Sequence, residues 1–176
     1  MKRVVVVALM VLAALAGAPP SIGASPAQAG GGGGDPWTAV ASLPASRTPG
    51  ARADIRPDSF QALTLDQPAL EAQLASVPVE ASPGAGVAGG QVVALPGPKG
   101  AQRFRVVEVA TMAPELAAQF PDIHTYRGQG IDDPAATVAF DVSHLGFHAS
   151  VLSPNGAWYV DPYYHLDTSA YISYFR

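Results

Sequence analysis

From Gln91 onward, apolar and polar residues alternate with the period of two expected of half-buried strands. The stretch "QVVALPGPKGAQRFRVVEV" reads as two strands around Pro96-Gly97-Pro98-Lys99-Gly100, a hairpin signal. Its second half sets Arg103, Arg105, Val107 and Val109 against Phe104, Val106 and Glu108. Three more strands are predicted: Ala136 to Val142, Gly146 to Leu152, and Ala157 to Asp161. His144-Leu145 joins the first two, and Ser153-Pro154-Asn155-Gly156 joins the last two as a strong turn signal. The result is an antiparallel meander of hairpins with one apolar and one mixed face. Strands do not alternate with long helices, which argues against a parallel α/β fold.

Before Gln91 the pattern is different. "SFQALTL" (Ser59 to Leu65) alternates like a short strand. Asp66 then stands at an N-cap position, and Pro68 sits in the first helical turn, where its missing N–H costs nothing. Leu70 and Leu74 lie four apart, so Pro68 to Ser76 is predicted as a short helix that Pro78 ends. "APELAAQF" (Ala113 to Phe120) predicts one or two further helical turns. Residues 81–90 form a Gly/Ala/Pro linker suited to proteolytic nicking. Gly30 to Gly34 are five consecutive glycines, and Pro36, Pro44, Pro49 and Pro57 follow. Residues 30–57 are therefore expected to be a flexible, disordered segment with little regular structure. The fold class predicted is α+β, mainly antiparallel sheet with one or two short helices, in one domain over 58–176.

Composition narrows the setting. The 176 residues carry a net charge of -4, which offers no basic patch for nucleic acid. Met1-Lys2-Arg3 is positive, and Val4 to Ala16 is an uncharged apolar run. That run is shorter than the about 20 residues a membrane helix needs, and it fits the core of a signal peptide spanning 1–29. Ala27-Gln28-Ala29 fits the small-residue cleavage pattern, with the cut between Ala29 and Gly30. The expected location is secreted, periplasmic or extracellular, with no membrane attachment after cleavage. There is no cysteine, which excludes disulfides, thiolate metal sites and cysteine nucleophiles. Small exported eukaryotic domains are usually disulfide-rich, so the composition favours a bacterial source.

Candidate chemistry is sparse. His144 and His148 are four apart, but Leu145 stands where a zinc-protease motif places glutamate. In an extended strand the two would be about 13 Å apart, too far to share an ion bound at about 2 Å. They read as a turn histidine and a sheet-surface histidine. Asp132-Asp133-Pro134 offers oxygen ligands for calcium but lacks the EF-hand spacing. It reads as a structural turn, with Gly128 and Gly130 as its flexible entry. No Gly-x-Ser-x-Gly elbow and no P-loop is present. No catalytic residue, cofactor or metal site is predicted. Trp158, Tyr159, Tyr163, Tyr164, Tyr171, Tyr174 and Phe175 crowd the last twenty residues. They are either a binding face or the core of a sheet. "TSAYISYFR" reads as an apolar edge strand, which predicts poor solubility or association.

One resemblance links these segments. Met112, Pro114, Glu115 and Leu116, then "FPDIHTYRGQGIDDP", "FDVSHLGFHASVLSPNG", Asp161-Pro162-Tyr163 and "YISYF" occur in order with short gaps. Together with "LTLDQPALEAQLASVPVE", they resemble the N-terminal pro-region of bacterial secreted reprolysin-like zinc metallopeptidases, over about residues 58–176. In that family the catalytic domain follows the pro-region and carries His-Glu-x-x-His-x-x-Gly-x-x-His. This chain contains no His-Glu pair, so no zinc ligand or catalytic residue carries over. The resemblance implies a propeptide-like domain, or the N-terminal fragment of a protease, that assists the folding or latency of a metallopeptidase domain in cis or in trans. The alternative is a stand-alone exported β-rich module that binds a glycan or a protein.

Overall fold

A computed structural model describes residues 34–53, 55–82 and 86–176. The signal peptide, its cleavage point at Ala29 and Gly30, and residues 83–85 of the linker lie outside the described residues. Among the described residues the architecture is one nine-stranded antiparallel sheet with two short helices. In chain order the elements are β1 (Trp37–Ala39), β2 (Gln61–Leu65), α1 (Gln67–Leu74), β3 (Gln91–Gly97) and β4 (Gly100–Glu108). They continue with α2 (Pro114–Ala117), β5 (His124–Gly130), β6 (Thr137–Ser143), β7 (Gly146–Leu152), β8 (Trp158–Tyr164) and β9 (Asp167–Phe175). The spatial order is β1-β2-β9-β8-β7-β6-β5-β4-β3. Strands β3 to β9 therefore form a continuous meander, and one long-range pairing, β2 with β9, brings in the N-terminal hairpin.

The sheet curls until Cα atoms of β3 come within 8 Å of both β8 and β9. Its inner face makes the core. Phe104 on β4 meets Trp158 on β8, with ring centroids 6.2 Å apart. Tyr126 stacks on Phe140 at 4.7 Å, and Phe140 packs on Phe147. Helix α1 seals this interior. The Asp66 carboxylate accepts the Ala69 N–H at 3.1 Å, capping the helix as its sequence predicts. Leu70 and Leu74, with Val77 just beyond, are buried in the same cluster. Each buried leucine stabilises by about 1.5–3 kcal/mol relative to an exposed one.

Four expectations need correction. First, the described part of residues 30–57 has little regular structure, as expected, but it is tied into the fold. Trp37 on β1 is buried, edge-on to Phe147 at 5.1 Å and to Tyr171 at 5.4 Å. Residues 44–53 are tied to the β8–β9 hairpin: Tyr164 donates to Pro44 O, His165 N–H donates to Arg52 O, and Ser46 Oγ donates to Asp167. Four prolines suppress helix and ladder signals here but do not prevent a single tryptophan from anchoring the segment.

Second, Gly128 and Gly130 belong to strand β5 rather than to a turn. A Cβ on Gly128 would lie 2.6 Å from Val106 Cγ1 and 2.9 Å from Val138 Cγ1. One on Gly130 would lie 2.1 Å from Asp133 O. The glycines let neighbouring strands and the turn approach, and their missing side chains hide the period of two. Third, the chain segment around β9 is not an edge strand. It lies between β2 and β8, and Ala170, Tyr171, Ile172 and Ser173 are fully buried. The premise for poor solubility therefore falls on β1 and β3, which are the edges. Fourth, β8 runs on to Tyr164, past the predicted end at Asp161.

Asp132, Asp133 and Pro134 do form the turn between β5 and β6. Asp133 accepts the Ala135 N–H and also binds Ser153 Oγ at 2.6 Å and Asn155 Nδ2 at 3.2 Å, linking two turns. Asp132 forks to Arg103, at 2.6 Å from Nη2 and 2.7 Å from its N–H. Both carboxylates are thus consumed by structure.

Candidate functional site: a cleft at the open seam and a polar row outside

Two places on the sheet hold groups that the packing does not use. The first is at the far end of β9. β2 pairs with β9 only from Gln61 to Leu63, so the chain before Gln61 leaves the strand while β9 continues to Phe175. The gap is an open cleft of about 1080 Å³. Residues 39–43 form one wall, residues 56–62 another, and Pro98-Lys99 with Phe175-Arg176 close the rest. Val40 N–H donates to Ala62 O and Asp66 N–H donates to Pro36 O. Antiparallel alternation therefore turns the peptide groups of Ala39 away from β2 and from this cleft, toward the free outer edge of β1. Phe60 and Phe175 line this cleft and are 39% and 38% exposed. Arg56, Lys99 and Arg176 face it against the single carboxylate of Asp58. The Lys99 ammonium sits 5.2 Å above the Phe175 ring. Gln61 Oε1 in the wall, and Ser173 Oγ opposite it in the register, are buried without a hydrogen-bond partner among the described residues.

The second place is a row across the outer face. Register aligns Thr125 on β5 with Asp141 on β6, and Asp141 with His148 on β7. His148 Nδ1 meets Asp161 Oδ1 on β8 at 3.0 Å, and Asp161 Oδ2 accepts the Tyr174 hydroxyl of β9 at 2.8 Å. The row floors a shallow depression of about 280 Å³. The hydrogen bond to Asp161, aided by Asp141, raises the His148 pKa despite its partial burial. Burial raises the Asp141 carboxyl, partly offset by His148. Burial and Asp161 together push the Tyr174 hydroxyl up. Tyr174 also stacks on Tyr159 at 5.7 Å. Neither ring nitrogen of His148 is hydrogen-bonded to a hydroxyl among the described residues, so the row holds an oriented imidazole but no activated nucleophile.

The other histidines are separate. His144 lies in the β6–β7 turn, and His124 Nδ1 is 2.7 Å from Glu108 Oε1. Among the described residues, no three His, Cys, Asp or Glu side chains are grouped to hold a metal ion. Of the aromatic residues near the C-terminus, Trp158 and Tyr171 belong to the core, whereas Tyr159 and Tyr174 stand on the outer face. Sequence reasoning missed the row because its members come from five strands, although alternation within each strand does put every one on the polar face. It missed the cleft because that depends on where β2 leaves β9. No family model, curated protein or solved structure matches the chain.

Proposed function

We propose that this chain is an exported, non-catalytic domain that docks on the catalytic domain of a zinc metallopeptidase, in cis or in trans, and assists its folding or holds it latent. The observation that carries the reading is the unpaired outer edge of β1. A free strand edge is a surface suited to a protein segment, because main-chain pairing supplies affinity to an extended chain. The order of motifs from Met112 to Phe175 supports the choice of partner, and the apolar run after Met1 supports export.

The test is light scattering on a sizing column with the purified chain, alone and with a reprolysin-like catalytic domain. A complex together with reduced peptidase activity is the expected result. A monomer that neither binds the protease domain nor alters its refolding yield would reject the docking reading.

A second reading has its own observation. The stacked Tyr159–Tyr174 pair beside the hydrogen-bonding row is a flat aromatic platform of the kind that holds a sugar ring. Glycan binding lost on Tyr159→Ala, in a chain that ignores proteases, would favour a stand-alone binding module.

A further inference from the structure

The cleft at the end of β9 holds a main-chain group that the sheet leaves unused, and its surroundings name a ligand. We infer that the cleft takes the free carboxy-terminus of a polypeptide whose last residue is apolar. The outer edge of β1 faces away from the cleft, so this ligand and a docked protease domain occupy different surfaces.

Alternation along β9 places the main-chain group. Arg176 N–H donates to Ala157 O at 3.2 Å, on the β8 side. Trp158 and Phe175 are therefore a non-hydrogen-bonded pair there, and the N–H and C=O of Phe175 point the other way, toward β2. Continuing the β2–β9 register would set Ser59 opposite Phe175. The pairing stops at Gln61 with Ser173, and no main-chain hydrogen bond joins Ser59 to Phe175. One donor and one acceptor thus open on the cleft. A single residue is too short an edge for an added strand, which runs to at least about three residues. It matches one amide.

The charges specify what stands beside that amide. Arg176 is the next residue, the Lys99 ammonium sits 5.2 Å above the Phe175 ring, and Arg56 lines the same cleft. None of the three makes an ion pair among the described residues, and Asp58 is the one carboxylate in the lining. On a chain whose net charge is -4, this positive lining selects an anion. A chain terminus carries its last amide and its carboxylate on one α-carbon, so it meets the Phe175 peptide group and the cations together. Its last side chain then lies against the exposed rings of Phe60 and Phe175. An inorganic anion would leave the peptide group and the rings unmatched. A neutral glycan would leave the cations unmatched, and an internal acidic side chain holds its carboxylate too far from the main chain to serve both.

The experiment uses the full chain, labelled with nitrogen-15. The probe is an N-acetylated peptide of three alanines and a terminal leucine, with a free carboxylate. One control is the same peptide as its carboxamide. A second is a carboxamide with a glutamate inside, which keeps the charge and moves it off the terminus. The expected result is saturable binding of the free acid, with the largest amide shifts at Phe175 and Arg176. Both carboxamides should bind about tenfold more weakly, the effect of losing one charge-assisted contact. The double variant Arg56→Gln/Lys99→Gln should weaken binding of the free acid about tenfold, the summed effect of two partly screened contacts, and leave the carboxamides unchanged. Circular dichroism on the variant checks that it remains folded. Equal binding of the free acid and the internal-glutamate peptide, or equal saturation by acetate, would show a site for any carboxylate and overturn the assignment. Shifts centred elsewhere on the sheet, or no saturation at millimolar peptide, would overturn it as well.

Discussion

The two ends of β9 carry opposite solutions to the same problem. At its start, the Asp167 carboxylate is saturated from within the chain. Ser46 Oγ donates to it at 2.5 Å, Thr48 N–H at 2.8 Å and Ser169 N–H at 2.8 Å. Burial pushes this carboxyl up, but those hydrogen bonds outweigh it and hold the group well below the usual carboxylate range. At the other end, Phe175 and Arg176 face a cleft in which Arg56, Lys99 and Arg176 make no ion pair among the described residues. The interior between them is uniformly buried from Ala170 to Ser173. The difference separates stability from function along one strand. Substitution at the tied end should destabilise the protein, and substitution at the open end should change only what it binds.

The comparison can be broken most forcefully at Trp37, which holds the tied segment's beginning in the core. Trp37→Ala should cost about 3–5 kcal/mol in urea denaturation, as expected for deleting a buried aromatic ring. A loss of under about 1 kcal/mol, within the range of surface substitutions, would mean the segment is not part of the cooperative fold.

Asp167→Asn should cost about 1–3 kcal/mol by leaving buried donors poorly matched. Its sign with pH follows from the lowered pKa. The wild-type contribution is complete above the unfolded carboxylate value near about 4 and is lost as pH falls through the folded one. The variant should therefore show a shallower acid transition, and an unchanged one would remove Asp167 from the strap.

His148→Gln comes next. The raised His148 pKa contributes stability below the unfolded value of about 6.5, lost as pH rises through the folded value. The side chain is 40% exposed, so solvent screening keeps the effect under about 1 kcal/mol. The stability difference between wild type and variant should shrink between acid and mildly alkaline pH, and a constant difference would assign His148 a packing role only.

Smallest of all, Arg56→Gln/Lys99→Gln should leave stability within about 0.5 kcal/mol of wild type, the usual range for exposed substitutions. A larger loss would make the open end part of the fold and erase the contrast.

Local signals carried much of this architecture. Alternation fixed the meander from β3 to β4 and from β6 to β8, because each of those strands turns one apolar row inward. Asp66 and Pro68 set the start of α1 through capping chemistry that acts within one turn. Asp133 likewise reveals its turn through its own backbone. What the sequence concealed has a common physical cause. Strand β5 was hidden because Gly128 and Gly130 occupy inward positions that lack the room for a side chain. The closing aromatic strand looked like an edge because its partner, β2, lies about a hundred residues earlier, and no local rule reports such a pairing. The His148 row exists only through the register of five strands, and the cleft only through the point where β2 parts from β9. By itself, then, the sequence determined the antiparallel hairpins, the capped helix and the exclusion of cysteine chemistry. The tertiary structure alone decided which strands are edges and which polar groups remain unused, because both are set by contacts between residues far apart in the chain.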